Sequence, residues 1–166
     1  DRFRPKYRQG VIRDDYGFIE ASPRFRSFKD DVELVLREKF GMDVQRKNKS
    51  IKINGNSYRK DSDAVPALRH RDYSSDFSFD PSNYIGGILI TPDEGGEIIN
   101  YPEQHIENGV EKNKRTNYYF KKMVRIAKEM RYKMIDLDYE SAMDISSFLV
   151  ECLLWNVPDQ YFNRYL

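Results

Sequence analysis

The sequence predicts an α+β fold, in which a mixed or antiparallel sheet with flanking helices leads into a helical C-terminal part. Short apolar or alternating segments bounded by Gly, Asn and Asp are concentrated between residues 43 and 101, and such segments are typical of strands. Apolar residues at spacings of three and four, which indicate amphipathic helices, occur before these segments and again after residue 118. This order places the sheet in the front half and most of the helices in the back half.

The composition is that of a folded domain with a strongly charged surface. Of the 166 residues, 39% are hydrophobic and 33% are charged, which suits one domain, or one domain with part of another. Lys and Arg number 28 against 27 Asp and Glu, so the net charge of +1 excludes a global basic field for nucleic acid. Basic stretches at residues 2–13 and 112–133, together with twelve tyrosines, leave nucleic acid or a regulatory protein open as partners.

Cysteine content and hydropathy bear on the compartment. A single cysteine, Cys152, cannot form an internal disulfide, which favours a reducing compartment such as the cytoplasm. No apolar run approaches the roughly 18 residues of a membrane span, so no membrane is expected as a partner. The chain does not begin with Met and starts in mid-pattern, so we expect a fragment, a processed product or a trimmed chain.

Local signals predict the elements of the front half. Residues 1–26 contain no regular pattern and are expected to be irregular. Ser27 can cap a helix over residues 28–40, and Gly41 follows as its stop signal. Asn54-Gly55 predicts a tight turn between two strands, and a polar loop is expected later in the chain, at residues 72–83. Strand signals occur at residues 43–46, 50–53, 58–68, 84–91 and 97–101.

The back half is predicted to be helical. Apolar residues recur on one face across residues 118–134, which indicates an amphipathic helix. A last helix is expected to start near Asp144, which can cap it, and Pro158 lies just past its end. We place the division between the two parts of the chain after residue 104.

Asp61 and Asp63 are the first residues whose spacing suggests a chemical function. Alternate side chains of a strand share a face, so both carboxylates are expected to point the same way. Two carboxylates on one face can hold Mg²⁺, a cation that prefers oxygen ligands and can activate a hydroxyl and steady a departing pyrophosphate. The plainer alternative is an exposed strand end with two solvated acids.

Four motifs, in the same order, are similar to those of one enzyme superfamily. Asp63-Ala64-Val65-Pro66-Ala67 resembles the Asp-x-Val-Pro-Ala strand of the CD-NTase and oligoadenylate synthetase-like nucleotidyltransferases, which lie within the DNA polymerase beta superfamily. Residues 98–105 resemble that family's strand followed by a Pro-x-x-His turn, and residues 112–128 its helix ending in a phosphate-contacting Lys. The ISSFL sequence at residues 145–149 resembles its Ser-Ser-aromatic helix start. The chain therefore resembles the central part of such an enzyme.

The resemblance implies a nucleotidyltransferase sheet and a set of site residues. Residues 1–104 would form part of a palm-like core, and residues 105–166 a helical nucleotide-binding part. Asp63 would be catalytic as the family's third metal-binding carboxylate, with Asp61 as a further ligand and Mg²⁺ or Mn²⁺ as the cofactor. The nucleoside triphosphate would be held by Lys128 and Ser147, and its base by Phe148.

The activity that the resemblance implies is the joining of nucleoside triphosphates into a linear or cyclic oligonucleotide signal, as in bacterial antiphage systems. Residues 1–60 contain neither the family's Gly-Ser motif nor its first Asp-x-Asp motif. Two alternatives therefore stay open. One is a catalytically inactive relative that binds a nucleotide or a partner, and the other is a nucleotidyltransferase that acts on a protein, an RNA end or a small molecule.

The back half also has the residue types of a phosphate and base site. A helix start offers free N–H groups, to which Ser147 adds a hydroxyl, Lys128 a mobile charge and Phe148 a stacking ring. The plainer alternatives are ordinary capping, a solvated lysine and a core phenylalanine. His105 is expected to make a structural hydrogen bond in a turn, and Arg131 to be either paired or functional.

Overall fold

The computed structural model describes residues 3–20 and 27–163. The chain forms two compact units, Asp1–Pro102 and Glu103–Leu166. Over the described ranges, the first unit combines two sheets with an α-helix and the second is helical, so the predicted α+β class is confirmed. Residues 1–2 and 21–26, which belong to the segment predicted to be irregular, lie outside the described residues, as does residue 2 of the basic stretch.

Two sheets organise the first unit. Their strands are β1 (Phe3–Tyr7), β2 (Val44–Arg46), β3 (Ile51–Ile53), β4 (Ser62–Ala64), β5 (Leu68–Tyr73), β6 (Ile85–Ile90) and β7 (Ile98–Asn100). The larger sheet has the strand order β1-β5-β6-β7, parallel between β1 and β5 and antiparallel elsewhere, and the smaller is antiparallel with the order β2-β3-β4. The predicted mixed sheet is therefore confirmed.

Helix α1 spans Phe28–Phe40, and local sequence explains both of its ends. Ser27 Oγ accepts the Asp30 backbone N–H at 3.1 Å, while the Asp30 carboxylate accepts the Ser27 N–H at 3.2 Å, which completes a capping box. Gly41 follows with a φ of 56°, a conformation that favours glycine. The predicted helix and both of its boundary residues are confirmed.

The strand predicted over residues 58–68 is wrong. The chain instead forms β4 in the small sheet and β5 in the large one, with Val65, Pro66 and Ala67 between them. Pro66 has no N–H to donate, so a single ladder cannot continue through it. The hairpin strands predicted at residues 84–91 and 97–101 are confirmed as β6 and β7.

The tight turn predicted at Asn54-Gly55 is also wrong. Residues 54–61 form a wider loop, in which Asn56 and Arg59 make an isolated antiparallel bridge. The Asp61 carboxylate accepts the Gly55 N–H at 2.6 Å and holds the two ends of the loop together. A side-chain contact therefore replaces the backbone turn that the dipeptide predicted.

Strand β1 overturns the expectation of irregular structure at the start of the chain. It pairs in parallel with β5, so that Lys6 lies opposite Asp72. Lys6 Nζ donates to the Asp72 carboxylate at 2.9 Å, and the Tyr101 hydroxyl donates to it at 3.0 Å. Asp72 and Tyr73 were predicted to lie in a loop, but they are the buried end of β5.

The second unit is built from helices α2 (Pro102–Arg115), α3 (Tyr119–Asp136), α4 (Glu140–Met143) and α5 (Ser147–Trp155). Helix α3 confirms the prediction for residues 118–134, and Phe120 and Val124 are buried on it. The segment expected to be a turn at residues 102–105 is the first turn of α2, because the fixed φ of Pro102 suits a first helical position. Over the described ranges, no helix combines the length and apolarity that a membrane span requires.

The predicted cap of the last helix is wrong. Asp144 follows the end of α4, and α5 is capped by Ser146, whose Oγ accepts the Leu149 N–H at 3.0 Å. Serine and aspartate are both favoured caps, so local propensity did not distinguish the two positions. The consequence is that Ser147 stands at the first position of α5.

Candidate nucleotide-binding site

Helices α3 and α5 bring Lys128 and Ser147 to one face of the second unit through two contacts. Lys128 Nζ donates to Glu151 Oε2 at 2.7 Å, and the hydroxyls of Tyr132 and Ser147 lie 3.1 Å apart. Within each helix the two contributing residues are four positions apart, which is about one helical turn. The two contacts, Lys128–Glu151 and Tyr132–Ser147, are therefore adjacent along the interface between α3 and α5, and we call them the two rungs.

The start of α5 places polar donors beside these rungs. Ser146 uses its Oγ to cap the helix, so the Ser147 hydroxyl is left to pair with Tyr132. The first N–H groups of a helix lack intrahelical acceptors and carry a partial positive charge, which favours anions. An anionic group at this end could meet the backbone N–H groups, the Ser147 hydroxyl and the Lys128 ammonium.

Phe148 lies on the outside of α5, not in the core. Its side chain is 61% exposed, and its ring centroid lies 4.9 Å from that of His105, with the ring planes at 43°. The core role considered for this residue is therefore wrong. A supported and exposed aromatic face is the kind of surface on which a nucleobase stacks.

Glu151 connects the basic residues of the cluster. Its Oε2 accepts from Lys128, and its Oε1 lies 3.4 Å from His105 Nε2. Burial raises the pKa of the Glu151 carboxyl, but Lys128 and then His105 lower it by more, so the pKa lies below its usual range. The carboxyl is therefore an anion at neutral pH, and His105 contacts this cluster from α2 instead of serving a turn.

Sequence reasoning missed Tyr132 and Glu151, although one signal pointed to them. Tyr132 follows Lys128 by four residues, and Glu151 follows Ser147 by four, which places each on the same helical face as a predicted site residue. Arg131 directly precedes Tyr132 on α3, and its guanidinium carbon lies 5.5 Å from the centroid of the Tyr132 ring. The Nε of Arg131 is buried without a hydrogen-bond partner among the described residues.

The acidic strand lies in the first unit. Asp63 is exposed in the middle of β4, opposite Lys52 of β3, and accepts a hydrogen bond of 3.4 Å from Ser50 Oγ. Asp61 lies just before the strand, where Lys52 Nζ is 2.8 Å from its carboxylate. The hydrogen bond from Lys52, then that from the Gly55 N–H, holds the pKa of Asp61 below its usual range.

These two carboxylates differ in how well they suit a divalent cation. Asp63 offers exposed oxygen donors, and Mg²⁺ commonly uses one or two carboxylates together with waters and substrate phosphates. Asp61 already accepts from Lys52 and Gly55. Within the described residues, no group of three or more His, Cys, Asp or Glu side chains is gathered as a metal site. Asp63 fits a partial metal site better than Asp61 does.

Comparison with protein families matches the second unit. The family described as the cGAS/DncV-like nucleotidyltransferase C-terminal helical domain matches residues 107–166. This range contains both rungs and Phe148. His105 lies just before it.

Curated relatives match almost the whole chain. A protein of Staphylococcus schleiferi named cyclic GMP-AMP synthase CdnE03 is 54% identical over 163 residues, which are 98% of this chain and 50% of that protein. A protein of Cecembia lonarensis named cyclic dipyrimidine nucleotide synthase CdnE is 44% identical over 154 residues, 92% of this chain and 50% of its own length. The chain thus spans about half the length of the curated relatives it matches.

Solved structures of the same group share the fold. The Rhodothermus marinus CdnE c-UMP-AMP synthase, solved with Apcpp and Upnpp, superposes with a TM-score of 0.82 at 28% identity, covering 96% of this chain and 53% of that one. The Elizabethkingia meningoseptica CdnE cyclic dinucleotide synthase, solved with GTP and Apcpp, gives a TM-score of 0.72 at 40% identity, covering 84% and 51%. The α+β architecture is therefore that of these synthases.

Proposed function

Because the chain is a CD-NTase-like nucleotidyltransferase sequence, we propose that it contributes to a Mg²⁺-dependent enzyme that joins nucleoside triphosphates into a cyclic or linear oligonucleotide signal. The second unit, with residues 105–166, supplies the nucleotide-binding part, and residues 1–104 supply part of the catalytic core. The single observation that supports this most directly is the placement of Lys128, Ser147 and Phe148 around the start of α5.

The three residues have complementary roles in holding a nucleoside triphosphate. Lys128 supplies a mobile positive charge to the phosphates, and its four-carbon stem lets the ammonium follow them. Ser147 donates its hydroxyl at the helix start, where the backbone N–H groups also face an anion. Phe148 presents its exposed ring to the base, and the His105 ring of α2 packs against it. Together they fix the triphosphate at one end and the base at the other.

Asp63 is the carboxylate that we assign to the metal and to catalysis, with Asp61 as its neighbour. Bound Mg²⁺, or Mn²⁺ in its place, would help to activate the attacking ribose hydroxyl and neutralise charge on the phosphates. Asp63 contributes exposed oxygen donors from β4, and β3 holds that strand in place by antiparallel pairing. In the reaction, the ribose hydroxyl oxygen of one nucleotide bonds to the α-phosphorus of another, its proton is lost, and pyrophosphate leaves.

The setting that suits this activity is the bacterial cytoplasm in defence against phage. Nucleoside triphosphates are cytoplasmic metabolites, and a chain with the single cysteine Cys152 needs no oxidising compartment. A second candidate is binding of a nucleotide without turnover by this chain. One observation favours this second candidate: Asp61 is already engaged by Lys52 and Gly55, which leaves Asp63 alone of the two carboxylates to hold a metal ion.

A calorimetric titration of ATP and GTP with Mg²⁺ tests the proposed site. We expect binding to the wild-type chain, weakened about tenfold or more in Lys128→Ala because a charge-assisted contact to phosphate is lost. Lys121→Ala is the matched control, since Lys121 is an exposed lysine of the same helix outside the cluster. Equal affinity in the wild type and Lys128→Ala would remove Lys128 from the site, and an absence of binding would contradict the proposed nucleotide site.

A further inference from the structure

Glu151 contacts the two basic side chains of the cluster with different oxygens. Its Oε2 accepts from Lys128 at 2.7 Å, and its Oε1 lies 3.4 Å from His105 Nε2. Both members of the Lys128–Glu151 pair keep 27% of their side-chain surface exposed, so a solute can reach them. The carboxylate therefore neutralises the lysine at the place where we assign phosphate binding.

An anion that binds Lys128 must compete with this carboxylate. In the described structure the Lys128 ammonium has one protein acceptor, Glu151, and the pair carries no net charge. A triphosphate carries several negative charges, so it attracts the ammonium but is repelled by the adjacent carboxylate. The flexible stem of a lysine allows its ammonium to leave one acceptor for another without movement of the helix.

We propose that Glu151 is a built-in counter-ion that competes with the triphosphate for Lys128 and thereby lowers the affinity of the nucleotide site. This inference rests on the proposed function, because it assumes that Lys128 binds phosphate. When the ammonium turns to phosphate, the Glu151 carboxylate keeps its neighbour His105, which already lies beside Oε1. The pair thus holds Lys128 neutralised until a ligand of higher charge displaces the carboxylate.

The alternative role of Glu151 predicts the opposite sign. If Glu151 only positioned Lys128 for phosphate, its removal would leave the lysine free to adopt many rotamers and would weaken binding. If Glu151 competes, its removal releases an uncompensated charge and strengthens binding. The direction of the change therefore decides between a positioning residue and a counter-ion.

The experiment is a calorimetric titration of Mg²⁺-ATP and Mg²⁺-GTP into the wild type, Glu151→Gln and Glu151→Ala. We expect both variants to bind about two- to fivefold more tightly, the range for a partly exposed ion pair. Their affinity should also fall more steeply with added salt, because the lysine is no longer neutralised. Glu129→Gln is the matched control: it removes the same charge from the exposed residue next to Lys128 and should change neither property.

A double variant tests whether Glu151 acts through Lys128. Glu151→Gln in a Lys128→Ala background should give no gain, because the counter-ion acts through Lys128. A gain that persists in that background, or weaker or unchanged binding in both Glu151 variants, would overturn the inference while the proposed site stands. If neither the wild type nor any variant binds a triphosphate, the proposed function fails and the inference fails with it. Circular dichroism of each variant establishes that a loss of binding is not a loss of fold.

Discussion

Tyr132 and Ser147 share a hydrogen bond between their hydroxyls at 3.1 Å, one helical turn from the Lys128–Glu151 pair on both helices. The two rungs therefore constrain the same pair of helices, and each joins a residue proposed to bind the triphosphate to one that does not. Tyr132 can orient the Ser147 hydroxyl for the triphosphate, whereas Glu151, in our proposal, competes with the triphosphate for Lys128. The rungs can be tested separately because each is removed by a conservative substitution.

Tyr132→Phe removes the hydroxyl that orients Ser147 and leaves the ring in place. We expect triphosphate affinity to fall by about two- to tenfold, because the Ser147 hydroxyl loses a partner worth roughly 0.5–1.5 kcal/mol. Calorimetric titration measures the change. Tyr139→Phe is the control, since Tyr139 is another exposed tyrosine of the same unit outside the rungs. Unchanged affinity in Tyr132→Phe would show that Ser147 does not depend on this contact.

Asp63→Asn is expected to abolish formation of oligonucleotide products and to leave the fold intact, because Asp63 is exposed and lies outside the core. The amide keeps the size of the carboxylate but removes its negative charge, which weakens its hold on Mg²⁺. Chromatography of products formed from triphosphates and Mg²⁺ measures turnover, and circular dichroism measures the fold. Turnover has to be shown first for the wild type, and full activity of the variant would exclude Asp63 as a catalytic residue.

The Lys128–Glu151 pair should make the stability of the second unit depend on pH. The pKa of Glu151 is raised by burial but lowered by more by Lys128 and His105, so it lies below its ordinary value of 4.5. A lowered folded pKa means that the stabilisation is fully present above about pH 4.5 and is lost as the pH falls through the folded value. The wild type should therefore exceed Glu151→Gln in stability by up to about 1 kcal/mol at neutral pH, and the difference should disappear in acid.

Urea unfolding at a series of pH values, followed by the fluorescence of Trp155, measures this difference. Trp155 is the single tryptophan of the chain and lies on α5, so its signal reports on the unit that holds the pair. Other carboxylates, such as Asp72, also have lowered pKa values, but they are the same in the wild type and Glu151→Gln. Their contribution therefore cancels in the difference in stability between the two proteins. A difference that stays constant down to pH 2 would contradict the assignment to Glu151.

Gly86 and Gly87 are adjacent in β6 but should respond differently to alanine. A Cβ at Gly87 would lie 2.9 Å from the Asn100 carbonyl oxygen and 3.0 Å from the Tyr101 ring, whereas at Gly86 the nearest atom is 3.7 Å away. We expect Gly87→Ala to lower the free energy of unfolding by about 1–3 kcal/mol, because β7 must move to admit the methyl group. Gly86→Ala is the matched control with about 0.5 kcal/mol or less, and thermal unfolding measures both. Equal stability of the two variants would contradict the close approach of β7.

The elements that sequence predicted correctly are those specified by neighbouring residues. Ser27, Asp30 and Gly41 lie within or beside α1, so its capping box and stop could be read locally. The hairpin of β6 and β7 joins strands that follow one another directly, and this also depends on local signals. By contrast, β1 pairs with a strand more than sixty residues away, and no pattern within residues 3–7 indicates that partner.

The same distinction between local and long-range signals separates the parts of the candidate site that sequence predicted from those it missed. Four motifs in the same order, at residues 63–67, 98–105, 112–128 and 145–149, identified the relationship to the CD-NTases, because each short motif is carried by residues close together in the sequence. Glu151 and Tyr132 were missed, because their importance arises from the side chains that α3 and α5 bring opposite each other. Spacing placed each on the correct face of its own helix but did not indicate which residues of the other helix would meet it.

By itself, then, the sequence determined the α+β class, the ends of α1, the family relationship and the identity of Lys128, Ser147 and Phe148 as candidates. Only the tertiary structure decided that Pro66 separates two sheets and that the Phe148 ring is exposed beside His105. It also decided that Lys128 is neutralised by Glu151. The physical reason is that caps, turns and periodicity depend on contacts within a few residues, whereas burial and ion pairing depend on which distant segments pack together.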